Sequence, residues 1–425
     1  MSSVRRAERE KDREPGRQSI PAMTPSPPDP SLPARLREFH ERLPLAGDPP
    51  NALLSLPDDR ILYLAAILRD TPVSAPALSA EEWQAFLDHL RPHGVYPLMA
   101  YRLRAWPAEC RPPPDIMAWL NRVFLFAAAR AMRAGRQIQE VVDALEGAGI
   151  PSVLLKGPAL ARTMYPDPAL RQSSDIDLLV RPRDFLQAEA VLEGLGYVSP
   201  KNEFHVSQHQ YHHQVFEPQG TGMPLELHWA LDTEYDLFPD NWIEQVFSRR
   251  IPIRAADLAG PTLSPVDHLH FLVFHNVFVD MTASLDRMCD TALVIAAVEG
   301  IDQWNDLIHR SVDYHVRISL ELAVTAAGLW VGAALPEEVS NSAYWPAPRE
   351  REERLWRHAV AQHGSLCSAL YLQMQGQPGF VEKVRFGCRT VIPPTPMLAE
   401  YRRSASRMDI PLAHLRRWAS IKRYF

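Results

Sequence analysis

Residues 154–182 read LLKGPALARTMYPDPALRQSSDIDLLVRP, and this stretch decides the fold. Its apolar runs predict a short buried strand, then a helix over 158–165, then a second strand over 176–180. Asp175 and Asp177 stand two residues apart at the start of that second strand. Because side chains alternate between the faces of a strand, both carboxylates leave the same face. The pattern is suited to a divalent-cation site. For a motif this short, taken alone, two solvated acids at a strand end are the simpler interpretation.

The turn between the two predicted strands has residues suited to phosphate binding. Gly157 lets a phosphate approach the backbone, the following helix N-terminus favours an anion, and Lys156 adds a positive charge. Arg171 would either clamp a phosphate or neutralise Asp175, four residues further on. Ser174 is a further candidate for nucleotide binding, with a hydrogen bond inside the turn as its simpler role. An ordinary loop is the alternative for the turn taken alone.

A third carboxylate is expected on a neighbouring strand. Residues 225–229 read LELHW, so Glu226 alternates with leucines and faces away from them. Glu226 would complete a three-carboxylate metal site or act as the base for an acceptor hydroxyl, and an exposed glutamate on an edge strand is the alternative. Asp232 and Asp236 are weaker substitutes because they fall in a predicted loop.

Histidines are the other residues with metal-binding chemistry. A strand through residues 210–217 places His213 on one side and His212 on the other, which scatters the ligands. A zinc hydrolase is therefore a minor alternative, behind substrate contact or plain strand surface, for the cluster His205, His209, His212 and His213, with His228 downstream. On a predicted helix, His268 and His275 share a face and are interpreted as core or pocket-rim residues.

Composition divides the chain into four regions. Residues 1–35 are rich in arginine and proline and are predicted to be disordered. Residues 36–148 have helical periodicity, 149–250 form a compact α/β unit with a sheet of three to five strands, and 251–425 are again helical. The expected fold class is α+β, a small mixed sheet with flanking helices plus helical N- and C-terminal regions.

Charge and cysteine usage exclude several classes of protein. A formal net charge of −6 gives no general attraction to nucleic acid or to an anionic membrane. We find neither a secretory signal nor an apolar run long enough to span a bilayer, so a cytoplasmic location is expected. The four cysteines are far apart and predict reduced thiols: Cys110, Cys289, Cys367 and Cys388. The basic C-terminus is interpreted as a solvated tail, with RNA contact as the alternative.

The motifs together resemble a known family. The order of strand, glycine turn, helix, D-x-D strand and apolar–acid–apolar strand resembles the nucleotidyltransferase superfamily that includes DNA polymerase beta. More closely, L-L-K-G-x-A-L, Y-P-D-P and R-x-x-S-D-I-D-L-L-V resemble a bacterial family of uncharacterised nucleotidyltransferases found near biosynthetic gene clusters. The similarity continues through LELHW at 225–229, SPVDHLHFLVFH at 264–275 and LDRMCD at 285–290, and it covers roughly residues 80–425.

This resemblance implies a set of roles. Asp175 and Asp177 would hold Mg²⁺ or Mn²⁺, with Glu226 as the third carboxylate. Gly157 would lie beside the phosphates of a nucleoside triphosphate such as ATP. Lys156, Arg171 and Ser174 would be further nucleotide-binding residues.

The implied reaction moves a nucleoside monophosphate to an acceptor hydroxyl on a small molecule, a peptide or an RNA. Pro158 departs from the wider superfamily, which has serine or glycine at this position. Because proline has neither a hydroxyl nor an N–H, one phosphate contact is absent. The alternative is a catalytically degenerate nucleotide-binding or regulatory protein on the same fold. Neither the preferred base nor the oligomeric state follows from the sequence.

Overall fold

A computed structural model describes residues 26–41, 53–199, 213–231, 238–239, 241–275 and 284–361. Some predictions fall on residues outside these ranges: most of the N-terminal tail, His205, His209, His212, Asp232, Asp236, Cys367, Cys388 and the basic C-terminus. Within the ranges, Cys110 and Cys289 are free and buried. None of the helices described is both long enough and apolar enough to cross a membrane.

Seven strands form one mixed sheet. Their bounds are β1 Ser152–Leu154, β2 Ile176–Val180, β3 Tyr197–Val198, β4 His213–Pro218, β5 Leu225–His228, β6 Ile251–Ala255 and β7 Leu258–Thr262. The order across the sheet is β3-β4-β5-β2-β1-β7-β6. Strands β2 and β5 run parallel to each other, as do β1 and β7, whereas the other neighbouring pairs are antiparallel. The fold is therefore α+β, as the sequence predicts.

The sheet is larger than the predicted three to five strands. The β6–β7 hairpin was not predicted because its residues are mostly exposed or half-buried and include Pro252 and Pro261. Proline lacks the N–H of a sheet ladder and is tolerated mainly near sheet edges, and β6 is an edge strand here. We therefore propose that the α/β unit extends to Thr262 and does not end at residue 250.

Helices account for most of the remaining described chain. Before the sheet they are α1 Leu32–Glu41, α2 Asp58–Arg69, α3 Ala80–Leu90, α4 Tyr96–Leu103 and α5 Pro114–Gly147. Between and after the strands they are α6 Lys156–Thr163, α7 Phe185–Gly194, α8 Trp242–Arg249, α9 Pro265–Phe274, α10 Leu285–Ala296, α11 Gly300–Asp313, α12 Arg317–Val331, α13 Glu337–Ser340 and α14 Glu350–Ala361. Helix α1 begins inside the stretch predicted to be disordered, since Leu32 and Leu36 are buried in the core.

The two faces of the sheet pack against different helices. One face shares a hydrophobic cluster with α5 and α7, and its strand residues are Ile176, Leu178, Val180, Leu225 and Leu227. The opposite face, which includes Val153 and Leu179, joins the larger core formed with the helices that follow residue 264. Because Asp177 alternates with Leu178, it lies on this second face. The sheet thus presents its polar residues towards the C-terminal helices.

The end of helix α9 lies beside this polar face of the sheet. The Ser264 hydroxyl accepts a hydrogen bond from the Asp267 N–H at 3.2 Å and fixes the start of the helix. Helix α9 is buried along its length and carries Phe271, with His275 immediately after its end. Both residues contact Lys156, so the end of α9 forms one wall of the polar site.

Candidate active site

Register across three neighbouring strands brings the polar residues together. Asp177 of β2 is paired with Glu226 of β5, while β4 places His213 opposite His228. Paired residues of adjacent strands point to the same face, so these four side chains share one side of the sheet. Asp175 immediately precedes β2. Asp175 lies close enough to Asp177 and Glu226 for their negative charges to act on it.

Asp177 is the buried centre of the cluster, with 1% of its surface exposed. Lys156 Nζ lies 2.7 Å from its Oδ1, and His228 Nε2 lies 3.1 Å from the same oxygen. Burial opposes ionisation of Asp177, but the nearby Lys156 and His228 hold its pKa well below the usual range. Asp177 is therefore an anion at any physiological pH.

Asp175 has the opposite electrostatic character. Burial, together with the negative charges of Asp177 and Glu226, raises its pKa to about 6. The Ser174 hydroxyl lies 3.2 Å from Asp175 Oδ2, and Ser174 is exposed. A positive ion beside Asp175 would favour its charged form.

Lys156 points into the carboxylate cluster. Its backbone has a φ of 44°, an unusual left-handed conformation for a residue with a side chain. Burial opposes its charge, but Asp177 and Glu226 keep its pKa above the usual value. Nζ also lies 2.9 Å from His275 Nε2. Since an ammonium group only donates, His275 Nε2 accepts this hydrogen bond and its Nδ1 carries the ring proton.

Gly157 is needed for close packing at the start of α6. A Cβ atom at this position would lie 2.1 Å from Ser173 Oγ, a distance that no real contact tolerates. The absence of a side chain therefore lets the segment before β2 lie directly against the helix start. Pro158 follows in the first turn of α6 and is buried.

Arg171 forms its ion pairs with acids other than Asp175. It forms ion pairs with Asp286 at 3.2 Å and with Asp290 at 2.8 Å. Tyr165 also donates a hydrogen bond to Asp290 at 2.8 Å. The two acids are one helical turn apart on α10 and together engage the guanidinium group, so its ion pairs are with them and not with Asp175. Because these acids engage its guanidinium group, we leave Arg171 out of the proposed phosphate contacts.

Sequence reasoning missed that two histidines, His213 and His228, lie beside the carboxylates. His228 follows Glu226 by two residues on β5 and so lies on its face, a signal present in the LELHW motif. His213 joins it only through the pairing of β4 with β5, which a single-strand view of 210–217 cannot show. The rings of His213 and His228 are 4.6 Å apart. His275 contacts Lys156 as a pocket-rim residue, whereas His268 is buried in the core.

The site suits a hard divalent cation. Mg²⁺ and Mn²⁺ prefer oxygen ligands, and carboxylates are their usual protein donors. Asp175, Asp177 and Glu226 bring three such groups against the single ammonium of Lys156. Among the described residues, both hydrogen bonds to Asp177 end on Oδ1, which leaves Oδ2 available as a ligand. The donor chemistry and the charge of the site therefore fit the cation.

The mixed sheet, with acids on two parallel strands beside a glycine turn, defines a nucleotidyltransferase-type core. Residues 79–332, well over half of the chain, match the family described as uncharacterised nucleotidyltransferase, and the chain belongs to this family. No curated protein matches the sequence.

Two solved structures are similar to parts of the chain. One is the solution structure of the antibiotic-resistance factor ANT(2'')-Ia, at 17% identity and a TM-score of 0.31, covering 43% of this chain and 92% of that chain. The other is the crystal structure of an antigenic nucleotidyltransferase-like protein from Paracoccidioides brasiliensis, at 15% identity and a TM-score of 0.28, covering 45% of this chain and 93% of that chain. Scores this low add nothing about substrate.

Proposed function

We propose that the protein is a nucleotidyltransferase that uses Mg²⁺ or Mn²⁺ to move a nucleoside monophosphate from a nucleoside triphosphate to an acceptor hydroxyl. One observation carries the proposal: Asp177 of β2 is paired with Glu226 of β5, with Asp175 directly before β2 and Lys156, at the N-terminus of α6, in contact with Asp177. Family membership supports nucleotidyl transfer in general. The acceptor would be a small molecule, a peptide or an RNA.

The three carboxylates would hold the cation, which when bound neutralises charge on the phosphate oxygens. The backbone at Gly157 and the N-terminus of α6 provide a favourable position for the phosphates. Lys156 balances the negative charge of the acids, and its ammonium group competes with the cation for Asp177. Lys156 therefore pairs with a carboxylate and is not assigned a contact with the phosphates.

The proposed reaction is an in-line displacement at the α-phosphorus. A bond forms between the acceptor oxygen and the α-phosphorus while the bond from that phosphorus to the pyrophosphate oxygen breaks. The hydroxyl proton passes to a nearby carboxylate or to solvent, and pyrophosphate leaves. Glu226 is the candidate for receiving the proton if it does not serve as the third ligand.

A catalytically degenerate protein on the same fold is the second candidate. Pro158 favours it, because proline at the start of α6 offers neither the hydroxyl nor the N–H that the wider superfamily uses on phosphate. Such a protein would bind a nucleotide, or serve a regulatory role, without transferring the nucleotidyl group.

Calorimetric titration with each nucleoside triphosphate, with and without Mg²⁺, tests the first step. We expect Mg²⁺-dependent heat from the native protein that is lost in Asp175→Asn and Asp177→Asn. Asp313→Asn is the matched control, since Asp313 is an exposed ion-pair residue far along the chain, and it should bind as the native protein does. Circular dichroism confirms that each variant is folded.

Label transfer separates the two candidates. The native protein is incubated with α-phosphate-labelled nucleotides and a cell extract, and the labelled acceptor is identified. Transfer that Asp177→Asn abolishes supports the enzyme. Metal-dependent binding without transfer to any acceptor supports the degenerate candidate. No heat with any nucleotide contradicts the enzyme and leaves only a regulatory role.

A further inference from the structure

We infer that His213, Glu226 and His228 form a second metal site, suited to a transition-metal ion of the zinc class. The three residues come from two paired strands, with His213 directly opposite His228 and Glu226 two residues before it. One ligand atom from each residue can be chosen so that all lie within 4.8 Å of one another.

The distances resemble those around a shared cation. Nε2 of His213 and Nε2 of His228 each lie 3.5 Å from Glu226 Oε2. This is longer than an ordinary N–H···O hydrogen bond, which spans about 2.7–3.2 Å. Two ligands of a tetrahedral zinc, each about 2.0–2.2 Å from the metal, stand about 3.3–3.5 Å apart. Both spacings therefore match those between ligands of one tetrahedral ion.

The surroundings also hold the three side chains in place. His213 and His228 are 6% and 1% exposed, and Glu226 is partly buried, so their positions are fixed by packing. Two imidazoles and one carboxylate form a donor set that zinc and cobalt(II) prefer and that Mg²⁺ does not. Three protein ligands leave one position of a tetrahedral ion open. The site therefore differs in metal preference from the all-carboxylate cluster.

The inference depends on the proposed function only through Glu226, which the two sites share. His228 adds a constraint, because its Nε2 also lies 3.1 Å from Asp177 Oδ1. That nitrogen cannot donate to Asp177 and ligate a metal at the same time. Binding of a zinc-class ion would therefore release the contact between His228 and Asp177.

Cobalt(II) is the probe for the site, since its visible absorption reports the number and type of ligands. The full-length protein without a histidine tag is titrated with Co²⁺ and then with Zn²⁺. We expect one Co²⁺ per chain with a tetrahedral spectrum, displaced by Zn²⁺. His213→Gln and His228→Gln should each bind at least tenfold more weakly. His309→Gln, at an exposed helical position, should bind as the native protein does.

Competing ligands are tested with a triple variant in which His205, His209 and His212 are replaced by glutamine. This variant should keep the tetrahedral spectrum, and its loss would overturn the inference. The inference also fails if the native protein gives no such spectrum or if His213→Gln binds Co²⁺ as tightly as the native protein. Zn²⁺ should raise the unfolding temperature of the native protein but not of His213→Gln, which gives a second measure if the histidine variants fold poorly.

The two proposals can fail separately. Asp175→Asn should lose Mg²⁺-dependent nucleotide heat and keep the Co²⁺ spectrum, because Asp175 is not among the three ligands. Nucleotide heat without the spectrum in the native protein overturns only the second metal site. The spectrum without nucleotide heat overturns only the nucleotidyltransferase.

Discussion

Replacing Lys156 with methionine should make the stability of the protein depend strongly on divalent cations. Lys156 Nζ lies 2.7 Å from Asp177 Oδ1, and the two side chains are only 17% and 2% exposed. Removing one partner of a buried ion pair typically costs about 3–5 kcal/mol, because the other charge is left uncompensated. Methionine preserves most of the length and packing of lysine, so the loss would come mainly from the charge.

A cation bound by Asp177 would replace the missing ammonium charge. A ligand at a hundredfold excess over its Kd stabilises the folded state by about 2.7 kcal/mol. Since Lys156 competes with the cation, Lys156→Met should bind Mn²⁺ more tightly than the native protein. The difference in unfolding free energy between the two proteins should therefore shrink by at least about 1 kcal/mol when Mn²⁺ replaces EDTA.

Urea unfolding followed by tryptophan fluorescence measures the unfolding free energies of the variant and of the native protein, in EDTA and in Mn²⁺. Arg249→Met is the matched control, since Arg249 is paired at 2.6 Å with the buried Asp267, away from the carboxylate cluster. It should be destabilised by a similar amount in both conditions. If the difference in unfolding free energy between Lys156→Met and the native protein stays constant or grows in Mn²⁺, a cation does not replace the charge of Lys156.

Three further predictions follow from single residues. Because Asp175 has a pKa of about 6 and metals bind the carboxylate form, Mn²⁺ affinity measured by titration should fall by up to about tenfold per pH unit below 6 and level off above 7; a flat profile would contradict this. Gly157→Ala should cost about 1–3 kcal/mol in urea unfolding through its clash with Ser173, and Ser173→Gly in the same chain should recover most of the loss. Burial raises the pKa of Glu352 to about 7, so the folded state binds more protons than the unfolded state between about pH 4.5 and 7, and stability falls as pH rises through that window. Glu352→Gln should remove that dependence. The unfolding free energy of the variant minus that of the native protein should therefore be about 1–3 kcal/mol larger at pH 8 than at pH 5, as unfolding curves at the two pH values would show.

The sequence predicts the local elements of the site well. Strand β2, residues 176–180, has the predicted bounds, and α5 ends at Gly147, close to the predicted end of the helical region at residue 148. These elements have strong patterns, an uninterrupted apolar run and a long helical stripe ended by glycine. Glu226 was selected as a candidate because alternation with two leucines fixes its face.

Contacts between distant segments could not be predicted from local patterns. Arg171 was expected near Asp175, but its partners come from α10, more than a hundred residues later. His213 meets His228 only through strand register, which depends on the whole sheet. The β6–β7 hairpin has few buried side chains, so it lacks the alternation that marks a strand.

Crystals of the protein with Mn²⁺ and a non-hydrolysable nucleoside triphosphate test the central claim most directly, because anomalous scattering locates the metal. We expect a peak within coordination distance of Asp175 and Asp177, with the nucleotide phosphates beside Gly157 and with Glu226 oriented to the same ion or to one next to it. A nucleotide bound elsewhere, or a Mn²⁺ ion that contacts neither aspartate, would contradict it.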